Sequence, residues 1–382
     1  MRTIGVEEEL LLVDAETGAP KPVAGEVLRR AAQAGLAGAP EDRDARPGGP
    51  PDDDAGPGGR LEGELQQEQI EFSTPPAADL GDVARQLRAW RRRAVDAAVA
   101  AGAKVVATAT SPVPAQPNLA PSPRYEEMAA RFGRTATDQL VCGCHVHVSV
   151  GSAEEAVGVL DRIRVWLPTL LALRANSPFW RGEDSGYASY RSQAWSAWPS
   201  AGPTDVFGSV DAYQRHVRDM LATGVVLDEK MVYFDARLSA RYPTVEIRAA
   251  DVCLAAEDAV LVAALSRGLV DTAAAAWAAG IEAPPVPAGL LRLARWQAGR
   301  DGAEGALVNP HDGAPRPAAE VVGALVAHVR PALEENGDLA LVEDGVARVL
   351  AAGTGARRQR DVLARTGDLA AVAAEAARVT AG

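Results

Sequence analysis

The chain has 382 residues, 47% of them apolar, a formal net charge of −12 and three cysteines. This length admits two or three average domains or one large catalytic domain, and we take residues 1–382 as one. The acidic balance argues against nucleic acid and for small molecules or cations as partners, and Cys142, Cys144 and Cys253 make no disulfide framework. No run approaches the roughly 18 apolar residues of a membrane span. The N-terminus has one Arg before it turns Glu-rich, unlike a signal peptide, so a cytoplasmic protein with no membrane partner is expected.

Residues 4–13 form an apolar run closed by turn residues at 14–18, which reads as a strand, with helix as the alternative. In a strand, Glu7 and Glu9 share one face, and Glu8 lies on the other with Val6, Leu10 and Leu12. Ionised carboxylates among aliphatic residues are costly unless paired, and a hard divalent cation is a natural partner. Taken alone, the stretch leaves a metal site and an edge strand both open.

Residues 27–34 can make a short helix. Residues 38–60, rich in Gly, Pro and Asp, bury little and are expected to be a mobile inserted loop. Residues 64–74 read as a strand with Gln67, Gln69 and Glu71 on one face; Glu64 has the opposite parity and could join them only through a bulge or bend. Asp79 caps a predicted helix reaching about residue 101. A buried strand at 104–110, a proline-rich loop at 111–123 and a short helix at 124–132 follow.

Residues 141–150 alternate most clearly: Cys142, Cys144, Val146 and Val148 face one way, Gly143, His145, His147 and Ser149 the other. The cysteines are therefore expected to pack in the core, and the two histidines to meet a ligand or a phosphate. Ser152 and Glu155 form a capping box for a helix to about 172, interrupted at Pro168. The aromatic, polar stretch 174–199 reads either as a loop over the core or as a substrate-binding loop. A helix at 209–222 and a strand at 225–234 carrying Asp228, Glu229 and Lys230 come next. In residues 243–250, Thr244, Glu246 and Arg248 share a face, as a surface pair or as a metal ligand beside a phosphate clamp. Beyond 255 the chain is Ala-rich and mainly helical (256–279, 288–300, 317–335, 367–380), without a chemical motif.

Strands with acid, His or Arg on one face and apolar residues on the other predict an α+β fold. Its antiparallel sheet has a polar concave front and helices behind. There is no P-loop, no strand-linked G-x-G-x-x-G and no H-E-x-x-H.

The motifs Gly5-Val6-Glu7-Glu8-Glu9-Leu10, Gln69-Ile70-Glu71, His145-Val146-His147-Val148, Ser177-Pro178-Phe179-Trp180, Gly186-Tyr187-Ala188-Ser189-Tyr190-Arg191 and Thr244-Val245-Glu246-Ile247-Arg248-Ala249-Ala250-Asp251-Val252 occur in this order. Together they resemble the bacterial type-2 glutamate–cysteine ligases, also called carboxylate–amine ligases, which are related in fold to glutamine synthetase. The resemblance implies ATP-dependent amide formation through an acyl phosphate, with glutamate and cysteine as the typical pair. It implies Mg²⁺ held by Glu7, Glu9, Glu71, His145 and Glu246, and nucleotide contacts from His147, Arg248 and Lys230. Arg248, Arg191 and Tyr187 are the implied catalytic or substrate-pocket residues. Amino acids and ATP are then the expected partners, and a homodimer stays open. A metal-dependent hydrolase that works without ATP on the same residues is the rival reading.

Overall fold

The sheet is organised by the strand that carries three consecutive glutamates. The computed structural model describes residues 1–35 and 58–382. Its strands are β1 (Ile4–Asp14), β2 (Arg60–Gly63), β3 (Gln69–Ser73), β4 (Ala103–Val106), β5 (Gly143–Ser149), β6 (Phe179–Trp180), β7 (Glu183–Asp184), β8 (Ala236–Leu238), β9 (Thr244–Asp251), and the separate pair β10 (Ala306–Val308) and β11 (Pro315–Pro317). Among the described residues, seven of these form one antiparallel sheet in the order β2-β3-β1-β5-β9-β8, with β4 also on β1. β6 and β7 pair separately as a two-stranded hairpin.

β1 is an interior strand with neighbours on both edges. Register places Glu7 opposite His145 and Ser73, and Glu9 opposite Glu71. The alternation expected of β1 holds at its first half: Val6, Glu8 and Leu10 are buried on the rear face, and Glu7 and Glu9 are half-buried on the front. Behind the sheet lie helix Leu80–Ala100, whose Asp79 Oδ1 accepts from Asp82 N–H at 2.9 Å, and helix Ala256–Ala278. By length and composition the second helix could cross a membrane, but 78% of its apolar window is buried, so it serves as a core helix.

Glu8, 0% exposed, is the one acid of the triplet that enters the rear core. Arg91 of helix Leu80–Ala100 meets it bidentately, Nη2 to Oε1 at 2.7 Å and Nε to Oε2 at 2.8 Å. The same guanidinium donates to the carbonyls of Cys253 at 2.6 Å and Leu254 at 2.9 Å. Four donated bonds compensate a charge that burial alone would make prohibitive. They also tie the central strand to the helix and to the chain leaving β9.

Several sequence expectations shift. The insertion at 38–60 lies mostly outside the described residues, but its last residues are ordered sheet: Gly59 N–H donates to Ser73 O at 2.7 Å and Arg60 begins β2. Gly58 has φ +80°, and a Cβ there would fall 2.3 Å from Thr74 O, so only glycine lets the chain enter the sheet here. Residues 64–68 are the connection of a β2–β3 hairpin instead of strand, because the alternation at 64–74 runs across a turn. The strand at 104–110 is shorter, Ala103–Val106. Residues 225–234 contain the single turn Glu229–Met231 where a strand was expected, with Asp228 capping it, and the edge strand is β8 just beyond. Two further helices, Leu339–Ala352 and Gly355–Thr366, complete the helical part.

Replacing Arg91 by Met leaves Glu8 buried without its partner. Urea unfolding should show a loss of about 3–5 kcal/mol, largely restored when Glu8→Leu is added. A loss below about 1 kcal/mol in the single variant would contradict this role for the pair.

Candidate active site

Strand parity and register bring the front-face side chains of β1, β3, β5 and β9 into one place. Glu7 Oε1 lies 2.8 Å from His145 Nδ1, and Glu7 Oε2 lies 4.0 Å from His147 Nε2. Glu9 Oε2 accepts from Gly143 N–H at 2.6 Å, and its Oε1 lies 3.8 Å from His145 Nε2. Ligand atoms of Glu7, Glu9 and His145 all lie within 4.8 Å of one another, as do those of Glu9, Glu64 and Glu71. Glu9 belongs to both groups. Glu64 reaches this place from the β2–β3 connection, where strand parity does not apply.

Electrostatics divides the two β1 acids. Burial would raise the Glu7 carboxyl, but His145 and His147 overcome it and hold it down at about 2. Burial and the facing Glu64 push Glu9 up to about 7, against the pull of Arg191 and the Gly143 N–H. His145, 2% exposed, is driven down to about 4 by burial and by Arg248, although Glu7 opposes this. At neutral pH the imidazole is therefore uncharged. Its short contact to the Glu7 carboxylate assigns the proton to Nδ1 and leaves the Nε2 lone pair without a partner. A buried lone pair facing a second carboxylate is a donor set that a cation completes, so these residues fit a metal ion.

Glu246 stands outside both groups. Arg237 donates to it through Nε at 2.7 Å and Nη2 at 3.3 Å, and Arg248 Nη1 pairs with its Oε1. The two guanidiniums hold its carboxyl well below the usual range despite burial. Arg237 comes from β8, directly opposite Glu246 in register, and the sequence offered no sign of it.

Arg191, 2% exposed, lies where a Cβ on Gly143 would come within 2.2 Å of its Nη2. Its own N–H donates to Ser177 Oγ at 3.0 Å, and Ser177 Oγ–H donates to Asp251 at 2.7 Å. Asp251, at the end of β9, also accepts from Asn176 N–H and Ser189 Oγ–H, both at 2.8 Å. Asp251 thus clamps the 176–191 segment that presents Arg191 to Glu9. It stood in the sequence motif without a role. Tyr187 is placed elsewhere: its ring packs on Tyr190 and Trp296 with Arg300 over it, and it lines neither of the cavities described next.

Cys144 is buried with the rear core, and burial pushes its thiol well above its usual range. Cys142 is buried too, but its Sγ accepts from Gln69 Nε2 at 3.4 Å, a side chain of the Glu71 face. Cys142 nonetheless belongs to the same apolar core as Cys144, Val146 and Val148, as expected.

Two cavities open on this face. The larger, about 830 Å³, includes Gly5, Glu7, His147, Glu246 and Arg248 in its lining. The smaller, about 350 Å³, includes Glu9, Glu64, Glu71, His145 and an aromatic group. They share a wall of Glu7, Glu62, Lys230, Arg237, Arg241 and Arg248.

The sequence profile of the glutamate–cysteine ligase family 2 matches residues 3–376. A Streptomyces avermitilis protein provisionally named glutamate–cysteine ligase 2-1 is 51% identical over 382 residues, covering 100% of both chains. A provisionally named glutamate–cysteine ligase 2 of Streptomyces coelicolor is 50% identical over 380 residues, covering 100% of this chain and 99% of its own. Among solved structures, the Francisella tularensis glutamate–cysteine ligase in complex with AMP superimposes with a TM-score of 0.70 at 13% identity, over 100% of this chain and 88% of that one. The chain belongs to the glutamate–cysteine ligase family 2 and is a ligase of the carboxylate–amine type.

Adding a methyl group at residue 143 should displace Arg191. Gly143→Ala is expected to lower ligase turnover about 100-fold if Arg191 positions Glu9, as for a positioning group moved by about an ångström. Wild-type turnover in a folded Gly143→Ala protein would show that Arg191 is not held there for the reaction.

Proposed function

We propose that this member of the family joins a carboxylate to an amine at the expense of ATP through an acyl phosphate. Glutamate's γ-carboxylate is the acid, and cysteine is the amine of the family's name. The observation that carries this reading is the pair of cavities meeting at a wall of acids and arginines. A phosphoryl group passing between two bound substrates needs such a shared, charge-lined boundary.

The larger cavity has the volume and the mixed lining of a nucleotide site, with Tyr213, Val217, Val232 and Leu238 as apolar surface for a base. His147 and Lys230 open into it and serve the phosphates. The AMP bound to the Francisella ligase is consistent with nucleotide use on this fold. Glu7, Glu9, Glu71 and His145, with Glu64, would hold Mg²⁺, which when bound neutralises phosphate charge and orients it for in-line transfer.

The chain's own residues do the rest. Arg248, raised well above its usual range by Glu246 and Glu7 despite burial, stays charged throughout and faces the shared wall. There it stabilises the transferring phosphoryl oxygens. Glu246 orients Arg248 and Arg237, and with both oxygens engaged we assign it to that task in place of metal binding. Arg191 offsets the carboxylates from beneath Glu9. In the first step a carboxylate oxygen bonds to the γ-phosphorus and ADP leaves. In the second the amine nitrogen bonds to the acyl carbon, the C–O bond to phosphate breaks and protons leave the nitrogen. An ATP-independent hydrolase on the same residues is disfavoured by the family membership.

With glutamate and cysteine, turnover should require both Mg²⁺ and ATP and should release ADP and phosphate in a coupled assay. AMP and pyrophosphate would exclude an acyl phosphate. Glu7→Gln and Glu9→Gln keep volume and remove a charge. Each should lower turnover by roughly 100-fold or more and raise the Mg²⁺ needed for half-maximal rate. If Glu8→Gln abolishes turnover in a folded protein while Glu7→Gln leaves it intact, the assignment of faces on β1 fails.

A further inference from the structure

The small cavity has two unlike sides. Lys230, Arg237, Arg241 and Arg248 line both cavities and so stand at the shared wall. Tyr125, Met128, Trp195, Trp198 and Tyr233 line the small cavity alone, together with Glu9, Glu64 and Glu71. Three of the rings touch one another: Trp195 and Tyr233 at 4.9 Å between centroids, Trp198 and Tyr233 at 5.5 Å, Trp195 and Trp198 at 6.2 Å, all steeply tilted. Trp195 and Tyr233 are only half-buried, so they are not simply core.

Trp198, Gln139 and Arg124 on this side are already engaged. Trp198 Nε1–H donates to Gln139 Oε1 at 2.9 Å, and Gln139 Nε2 donates to Ala194 O at 2.6 Å. Arg124, on the helix that carries Tyr125 and Met128, is paired with Asp228. An anionic acid substrate is attracted to the arginine wall, away from the rings. The Arg191 guanidinium already lies 5.5 Å from the centroid of the Trp195 ring, so the half-buried rings are left to pack the apolar body of an amine.

We propose that the ring cluster of Trp195, Trp198 and Tyr233 is the amine subsite, and that it favours primary amines with a branched aliphatic or aromatic body, cysteine lying at the small end of its range. This rests on the ligase reading above and specifies its second substrate. The apolar body of the amine packs on the rings, and its ammonium loses one proton to water to become the nucleophile. Its nitrogen then bonds to the acyl carbon of the acyl phosphate. Phosphate leaves with the C–O bonding pair, and the second proton is released as the amide forms.

The test has two arms on the purified full chain with Mg-ATP and glutamate. Hydroxylamine, which needs no subsite, traps an acyl phosphate as the hydroxamate. The second arm compares kcat/KM for methylamine, cysteine, isopentylamine and phenethylamine. Burial of each methylene should raise kcat/KM roughly fourfold, so phenethylamine and isopentylamine should exceed methylamine by at least about tenfold and also exceed cysteine. Trp195→Ala should cut the phenethylamine-to-methylamine ratio by about tenfold, and Trp195→Phe should retain most of it. Hydroxamate formation with cysteine or methylamine preferred, or with a ratio insensitive to Trp195, overturns the amine assignment and leaves the ligase reading standing. Absence of hydroxamate overturns both.

Discussion

Three ionisable residues in succession on an interior strand cannot all be accommodated in the same way. Strand geometry sends Glu8 backwards and Glu7 and Glu9 forwards, and each direction must supply compensation. The rear supplies Arg91, whose four bonds to Glu8 and to the Cys253 and Leu254 carbonyls join β1, the helix behind it and the chain beyond β9. The front supplies His145 for Glu7 and the Gly143 N–H for Glu9, and leaves a negative excess. The rear pair fixes the strand, and the strand then aims the front acids.

That front excess turns a sheet face into a reaction centre. Glu9 sits in both acid groups, and burial, then the facing Glu64, pushes its carboxyl up. His145 contributes a neutral ring whose unshared nitrogen points back into the same space. The positive half of the site comes from the far edge of the sheet, where Glu246 gathers Arg237 and Arg248 at the wall between the cavities. Acids from β1 and β3 thus face arginines from β8 and β9 across β5.

Much of this was legible in the sequence because period-two alternation is strong in β1, β5 and β9. It separated Glu8 from its neighbours, put His145 and His147 on one face and placed Glu246 with Arg248. Helix starts at Asp79 and Ser152 were equally readable, since a capping side chain leaves a local signature. Short or irregular elements hid the rest. Arg237 lies on the three-residue β8, too short to alternate. Glu64 acts from a hairpin connection, where strand parity does not apply. Asp251 and Gly143 owe their roles to the buried Arg191, a long-range contact that no local pattern announces. Tyr187 entered only through the family resemblance, and its ring packs on Tyr190 and Trp296.

The central claim is that the acid-and-arginine wall transfers a phosphoryl group from nucleotide to carboxylate. The most direct measurement follows heavy-oxygen label from the γ-carboxylate of glutamate during amide formation. An acyl phosphate requires that one labelled oxygen appear in the inorganic phosphate for every amide made. Amide formed with unlabelled phosphate, or label recovered in AMP, would contradict it.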